Sequence, residues 1–375
     1  MLVNTYLYKN LISVLLLILV MILNTISLKA QTFSLEQCID TALQHNRNIK
    51  ISQQDIYIAD DKHKEIKSNL LPKLNGIIDY RYYTNLPYQL LPASVFGGPA
   101  GTYKEGQFGT PQNLSANLQL NIPVYNPTTF SNIQTSRLSI ELTEIQKTKT
   151  EEDVVLEVSN AYYNAQILIN QLAFLNSNII NAAMLVQTST LMFQQQVLKG
   201  ADVDRLQLQL DQLNTQRATV LSQYRQVLNA VKFLIGKPLT DSLDILFEDR
   251  AIDINNLDKK VTTDIKLINK KLQLNNAELS GLWYTHLPSL SIYGMYGTTG
   301  YGNTGSNSFF NFYPIGYIGV QLTIPIFNGM ITKHKIEQKI NEIKKTNIQK
   351  ELVTEKNNLE ITNTRLQYQA SESNV

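Results

Sequence analysis

Residues 114–125 read Leu114-Ser115-Ala116-Asn117-Leu118-Gln119-Leu120-Asn121-Ile122-Pro123-Val124-Tyr125. Apolar side chains fall on Leu114, Ala116, Leu118, Leu120, Ile122 and Val124, and polar ones on Ser115, Asn117, Gln119 and Asn121. Successive side chains of an extended chain point to opposite faces, so a period of two predicts a strand with one face for oil and one for water. A later stretch repeats the pattern, with Ile318, Val320, Leu322, Ile324 and Ile326 against Tyr317, Gly319, Gln321 and Thr323. Two looser runs precede these: Leu74, Ile78, Tyr80 and Tyr82 opposite Lys73, Asn75, Asp79 and Arg81, and later Leu290, Ile292 and Tyr296. Strands are therefore expected at about 72–84, 114–125, 288–297 and 316–327, with tyrosines near their ends. Strands of about 10 residues, apolar on one side and aromatic at the ends, fit a transmembrane barrel. A soluble hairpin fits any one of them as well.

The chain repeats itself. Leu71-Pro72-Lys73-Leu74 recurs as Leu287-Pro288-Ser289-Leu290, and Leu120-Asn121-Ile122-Pro123-Val124-Tyr125 as Leu322-Thr323-Ile324-Pro325-Ile326-Phe327. Val158-Ser159-Asn160-Ala161 is matched by Ile361-Thr362-Asn363-Thr364. Each copy reads helix, strand, loop, strand, long helix. Four strands cannot close a membrane barrel, because about eight are needed and every edge inside lipid must be paired, so oligomerisation is implied. The connecting stretches 86–113 and 298–313, rich in Gly, Pro, Asn and aromatic residues, are expected as mobile surface loops outside the cell.

From Asp153 onward apolar or small residues return at steps of four and three: Val154, Val158, Ala161, Ala165, Leu168, Leu172, Leu175, Ile179, Ala182, Val186. That heptad predicts a left-handed pairing with another helix, and Leu206, Leu210, Leu213, Val220, Val227, Val231 and Leu234 supply it. A second set, Val155, Tyr162, Ile169, Ile180 and Ala183, suggests a neighbour on another side. Between the two helices, Gly200 is expected to end one in a left-handed conformation and Asp202 to cap the next. At 1.5 Å per residue the helix 128–199 would be roughly 105 Å long, and the helices 34–70 and 202–235 roughly 50 Å each. Ser34 with Gln37 forms a capping box, and Gly236-Lys237-Pro238 ends the third helix. The Asp-rich stretch 239–261 is expected as a collar partway along the helices.

The remaining composition mostly excludes. Over 375 residues, 33 basic and 31 acidic side chains give a net charge of +2 with no run of one sign, so no nucleic-acid-binding face is expected. The lone Cys38 can form neither an internal disulfide nor a thiolate metal pair, and reads as a packed helix residue. His45, His63, His286 and His334 are scattered and no phosphate-binding glycine loop is present, so neither an enzyme nor a cofactor is expected; His63 and His334, among lysines, read as solvated. Trp283 and Tyr284, just before a strand, read as interface anchors or packing. At the N-terminus Lys9 precedes an apolar run over 11–23 that ends near Ser27 and Ala30, which reads as a secretory signal over 1–30. About 13 residues fall short of the roughly 20 a spanning helix needs.

The order of these elements resembles the outer membrane efflux proteins, the TolC-like channels, from Phe33 to the end of the chain. The residues that carry the resemblance are Phe33-Ser34-Leu35-Glu36-Gln37-Cys38-Ile39, the Leu-Pro before each first strand, Ile-Pro-Val and Ile-Pro-Ile, Ala161-Tyr162-Tyr163, Gly200, and Leu234-Ile235-Gly236-Lys237-Pro238. It implies a mostly α fold with a small β part: a duplicated unit of long coiled-coil helices plus a β-hairpin. Three chains would assemble as a twelve-stranded β-barrel on an α-helical barrel. On that plan 31–236 is a first repeat, 237–262 an equatorial segment, and 263–375 a second repeat that lacks its return helix, as a fragment would. The family's role implies a homotrimer in the outer membrane extending into the periplasm, in contact with membrane lipid, a periplasmic adaptor and an inner-membrane transporter, and passively conducting exported molecules for an efflux or type I secretion system. It places Lys199, Gly200 and Ala201 at the periplasmic tip facing the adaptor, and Asp202, Asp204 and Arg205 near ion pairs at the entrance. Leu118, Leu120, Ile122, Val320, Leu322 and Ile324 would face lipid. A secreted or periplasmic coiled-coil rod or adhesin is the alternative, though it has no need of two oil-facing hairpins.

Overall fold

The computed structural model describes residues 31–246, 262–303 and 311–372. The expected signal at 1–30, most of the segment 237–262, part of the second loop and the last three residues lie outside the described residues. The chain divides into two compact units, one of residues 1–54 and 147–260, the other of 55–146 and 261–375.

The first unit is built on helices. Strand β1 (Gln31–Phe33) leads into helix α1 (Leu35–His45), which opens on the expected capping box: Gln37 N donates to Ser34 Oγ at 3.2 Å and Ser34 N to Gln37 Oε1 at 3.1 Å. The N-terminal helix is not continuous to residue 70. Asn46 leaves the helical region (φ −58°, ψ 134°), and α2 (Arg47–Ser68) starts anew after it. The long helix α3 (Pro127–Gln194) and helix α4 (Gly200–Leu234) pack against each other as the apolar spacing predicts. Leu168 and Leu175 of α3 meet Val220 of α4, with Leu172 and Leu213 beside them. Farther along, Val154, Val158, Tyr162 and Ala165 of α3 form the main core with Leu228, Val231 and Ile235, and with Cys38 and Ala42 of α1. Each fully buried aliphatic side chain there contributes about 1.5–3 kcal/mol of transfer free energy. Cys38 is a packed core residue, and burial pushes its thiol up to about 11, against a smaller opposing pull from Lys237.

In the stretch expected as a collar, β6 (Leu243–Ile245) lies parallel to β1, a pairing that three-residue strands do not announce in sequence. Tyr162 fixes this pair to α3: its hydroxyl donates to the carbonyls of Leu246 and, at 3.3 Å, Phe33, while Gln166 Nε2 donates to Leu246 O at 3.1 Å. Tyr162 therefore sits in the principal core, and its polar tip explains why a tyrosine occupies the position.

The second unit holds the sheet. Its strands β2 (Lys73–Tyr82), β5 (Gln112–Tyr125), β7 (Ser289–Gly302) and β8 (Asn311–Thr323) lie in the order β2-β5-β7-β8, each antiparallel to its neighbour. The second strand pair runs farther toward its loop than the sequence pattern suggests. β7 continues to Gly302 and β8 begins at Asn311 and ends at Thr323, which leaves Ile324 and Ile326 beyond the strand. Tyr296 and Gly316 are opposed in register, and glycines through this region break the apolar alternation on which the shorter bounds rested. The first loop is not structureless: β3 (Tyr88–Pro92) and β4 (Tyr103–Gln107) form an antiparallel hairpin of their own, joined through a short 3₁₀ turn that buries Ala93.

Helices α5 (Thr263–Tyr284) and α6 (Ile331–Glu372) pair beside the strands through polar as well as apolar contacts. Asn275 Nδ2 donates to Thr346 Oγ1 at 3.1 Å with both residues buried, and Lys339 bridges Glu278 at 2.7 Å and Glu342 at 2.6 Å. His63 of α2 is not simply solvated: it is half-buried, with Nδ1 2.8 Å from Ser136 Oγ on α3. His334 is exposed, as expected, and sits 3.0 Å from Glu337.

Candidate functional site

Directly opposed residues of an antiparallel pair point to the same face, so the register assigns every strand residue to a side. Leu74, Leu120, Gly294 and Ile318 form one row across all four strands, and Ile122, Ile292 and Val320 another. Leu118 pairs with Tyr296 and Leu290 with Leu322, so Leu118, Leu120, Ile122, Val320 and Leu322 all lie on a single face. Ile324 continues the alternation past the strand end. This face is open: Ile78, Ile318 and Val320 are 80%, 86% and 66% exposed. Its counterpart carries Asn75, Ser115, Asn117, Gln119, Asn121 and Thr299, together with Tyr293, Tyr301, Tyr313 and Tyr317. An exposed apolar area of this extent marks contact with lipid or another chain rather than water.

Below the second strand pair, a hollow of about 460 Å³ is lined by Trp283, His286, Ile326, Phe327, Met330 and Ile336. Trp283 and Tyr284 close α5 with exposed rings, and Ile326 and Phe327 stand free in the link from β8 to α6. The apolar surface thus continues beyond the strands.

The turn between α3 and α4 differs from its expected chemistry. The left-handed residue is Gln196 (φ 61°), and the backbone closes α3 by two bonds, Val197 N to Met192 O and Gln196 N to Phe193 O, both 2.9 Å. That is a Schellman end with glutamine where glycine is usual. Gly200 is instead the first residue of α4. Lys199 takes the capping position in extended conformation, and Asp202 lies inside the first turn with its N–H on Lys199 O at 3.0 Å. A carboxylate in a first helical turn is stabilised by the N-terminal end of the helix dipole. Arg205 approaches Asp202 at 3.5 Å within the same helix, with both side chains exposed. Lys199, Gly200 and Ala201 do stand at the reversal between two long helices, as the sequence places them. The glutamine at positive φ and the joint at Asn46 carry no sequence pattern by which they would have been found.

A protein-family model described as outer membrane efflux protein matches residues 38–237. The chain belongs to the outer membrane efflux protein family. Solved structures agree in fold. A membrane protein from Pseudomonas aeruginosa has a TM-score of 0.62 at 17% identity, over 83% of this chain and 71% of that one. The Campylobacter jejuni CmeC outer membrane channel has a TM-score of 0.61 at 16% identity, over 85% and 67%. The open state of the Neisseria gonorrhoeae MtrE outer membrane channel gives 0.58 at 16%, over 84% and 69%. No curated protein matches in sequence. This efflux protein is accordingly an outer-membrane protein of mostly helical fold with a four-stranded sheet.

Proposed function

We propose that this efflux protein is the outer-membrane subunit of a tripartite efflux or type I secretion system, a passive conduit built from three copies of the chain. The observation that carries the reading is the sheet: four strands, one apolar face, and two outer edges, on β2 and β8, with no strand partner among the described residues. Unpaired edges are not tolerated in hydrocarbon, so such a sheet is completed by pairing β8 of one copy with β2 of the next until a barrel closes. Three copies supply twelve strands. On this reading Leu118, Leu120, Ile122, Val320, Leu322 and Ile324 face lipid and the two hairpins are copies of one ancestral unit. The signal at 1–30 directs export. The turn at Lys199, Gly200 and Ala201 meets a periplasmic adaptor, which couples the conduit to an inner-membrane transporter that supplies the energy. Asp202, Asp204 and Arg205 then sit near the entrance, where exposed charges set local potential more than stability.

The test is an immunoblot of inner-membrane, outer-membrane and soluble fractions, run with and without heating. The expected result is an outer-membrane species migrating as a trimer until heated. A soluble monomer would overturn the reading and favour a periplasmic rod.

A further inference from the structure

Strands β5, β7 and β8 contain no Asp, Glu, Lys or Arg on either face. Charge on the polar face of the sheet is confined to β2, where Asp79 and Arg81 pair at 2.7 Å and Lys73 donates to Asn69 at 3.0 Å. Tyrosines stand in its place. Tyr293 and Tyr317 meet edge to face, ring centroids 6.1 Å apart at 73°, and Tyr301 lies 5.9 Å from Tyr313.

The Tyr293 ring is laid flat by its partner. Directly opposite is Gly319, and a Cβ there would come within 2.6 Å of ring atoms, so the ring occupies the space a side chain would fill. The ring lies against the backbone at Gly319, and Tyr293 and Tyr317 remain 38% and 48% exposed. Asn121 is paired with Tyr293 and Gln119 with Met295, the residue opposite Tyr317, so two amides share the face beside the rings. Exposed tyrosine rings flanked by amides, on three strands that carry no charge, fit a solute of matching chemistry: uncharged, with a flat ring to stack and hydroxyls to exchange hydrogen bonds with Asn or Gln. A charged solute would give up hydration there with no counter-charge from β5, β7 or β8 in return.

We propose that Tyr293 and Tyr317 form a stacking platform on the inner wall of the channel for uncharged, hydroxyl-bearing ring molecules of the glycoside class. This rests on the reading of the polar face as the channel wall. The full-length protein is inserted into planar bilayers and its open-channel current titrated with phenyl glucoside and with the anionic phenyl glucuronide. The glucoside is expected to interrupt the current at lower concentration than the glucuronide. Tyr293→Ala or Tyr317→Ala should weaken its block about tenfold, the scale of one lost aromatic stack, and Tyr293→Phe should preserve it. Tyr296 lies over Gly316 in similar fashion but on the apolar face, so Tyr296→Ala should leave the block unchanged. A conducting wild type without glucoside block overturns the platform and leaves the channel standing, as does equal block by the glucuronide or an equal loss in Tyr296→Ala. Absence of current in every sample overturns the channel reading and the platform with it.

Discussion

Asn46 makes four hydrogen bonds at once in a site that is 3% exposed, one of them accepted by its carbonyl from Lys50 N at 3.2 Å. Its N–H closes α1 on Ala42 O at 2.8 Å, its Nδ2 donates to Leu234 O at the end of α4 at 2.8 Å, and its Oδ1 accepts from Asn48 N at 2.8 Å to start α2. Gly236 completes the joint. At φ 73° it adopts a conformation that favours glycine, and a Cβ there would lie 2.7 Å from the carbonyl of His45. Gly236 was legible, because glycine followed by Lys-Pro is a familiar helix end. Asn46 was not, because the apolar period runs through it and the bond that breaks the helix comes from a residue far away in sequence. Asn46→Ala leaves the Leu234 carbonyl buried without its partner and α2 without its cap, at a cost of about 1–3 kcal/mol. Asn46→Asp keeps the cap acceptor but turns a carboxylate oxygen toward the Leu234 carbonyl in a nearly dry site, so it should destabilise at least as much as Asn46→Ala. Denaturant titration of the purified protein orders the three. Asp as stable as wild type would show that the cap, rather than the Leu234 bond, carries the effect.

Among elements, pattern and structure agree best where one surface of a helix is dry. Val154, Val158, Ala165, Leu168 and Leu175 were expected to be buried from spacing alone, and they are. Agreement weakens where polar contacts do the fastening, as between α5 and α6. Lys339 there is raised overall: burial disfavours its charge, but its bonds to Glu278 and Glu342 outweigh that. The Glu342 carboxyl is held below its usual range, chiefly by the hydrogen bond from Lys339. A depressed carboxyl contributes stability that is complete above its unfolded value, near 4.5, and is lost as pH falls through the lower folded value. Glu342→Gln should therefore melt below wild type at pH 7, by no more than about 1 kcal/mol because the group is half exposed. The difference should shrink as pH is lowered from 5 toward 3. Melting curves of both proteins across that range decide it, and a difference that grows with acidity would remove Glu342 from the account.

For the molecule as a whole, what the sequence could not state is what covers the apolar face of the sheet. Alternation distinguishes the two faces, but a soluble hairpin alternates in the same way, and the surroundings of a face belong to the assembly rather than to any one strand. Leu120 and Gln119 separate the possibilities, since they are adjacent on the central strand β5 and point to opposite sides. On the proposed arrangement an arginine replacing Leu120 enters hydrocarbon, at about 2–4 kcal/mol if near the midplane, multiplied over three copies. An arginine replacing Gln119 enters the aqueous interior at little cost. Leu120→Arg should then show a clear loss of heat-sensitive trimer from the outer-membrane fraction, and Leu322→Arg, in the matching row of the second hairpin, should do the same. Gln119→Arg should assemble near the wild-type level. Normal assembly of both leucine variants would mean that the apolar face does not meet lipid, and a defect in Gln119→Arg as severe as in Leu120→Arg would mean that the sheet tolerates charge on neither side.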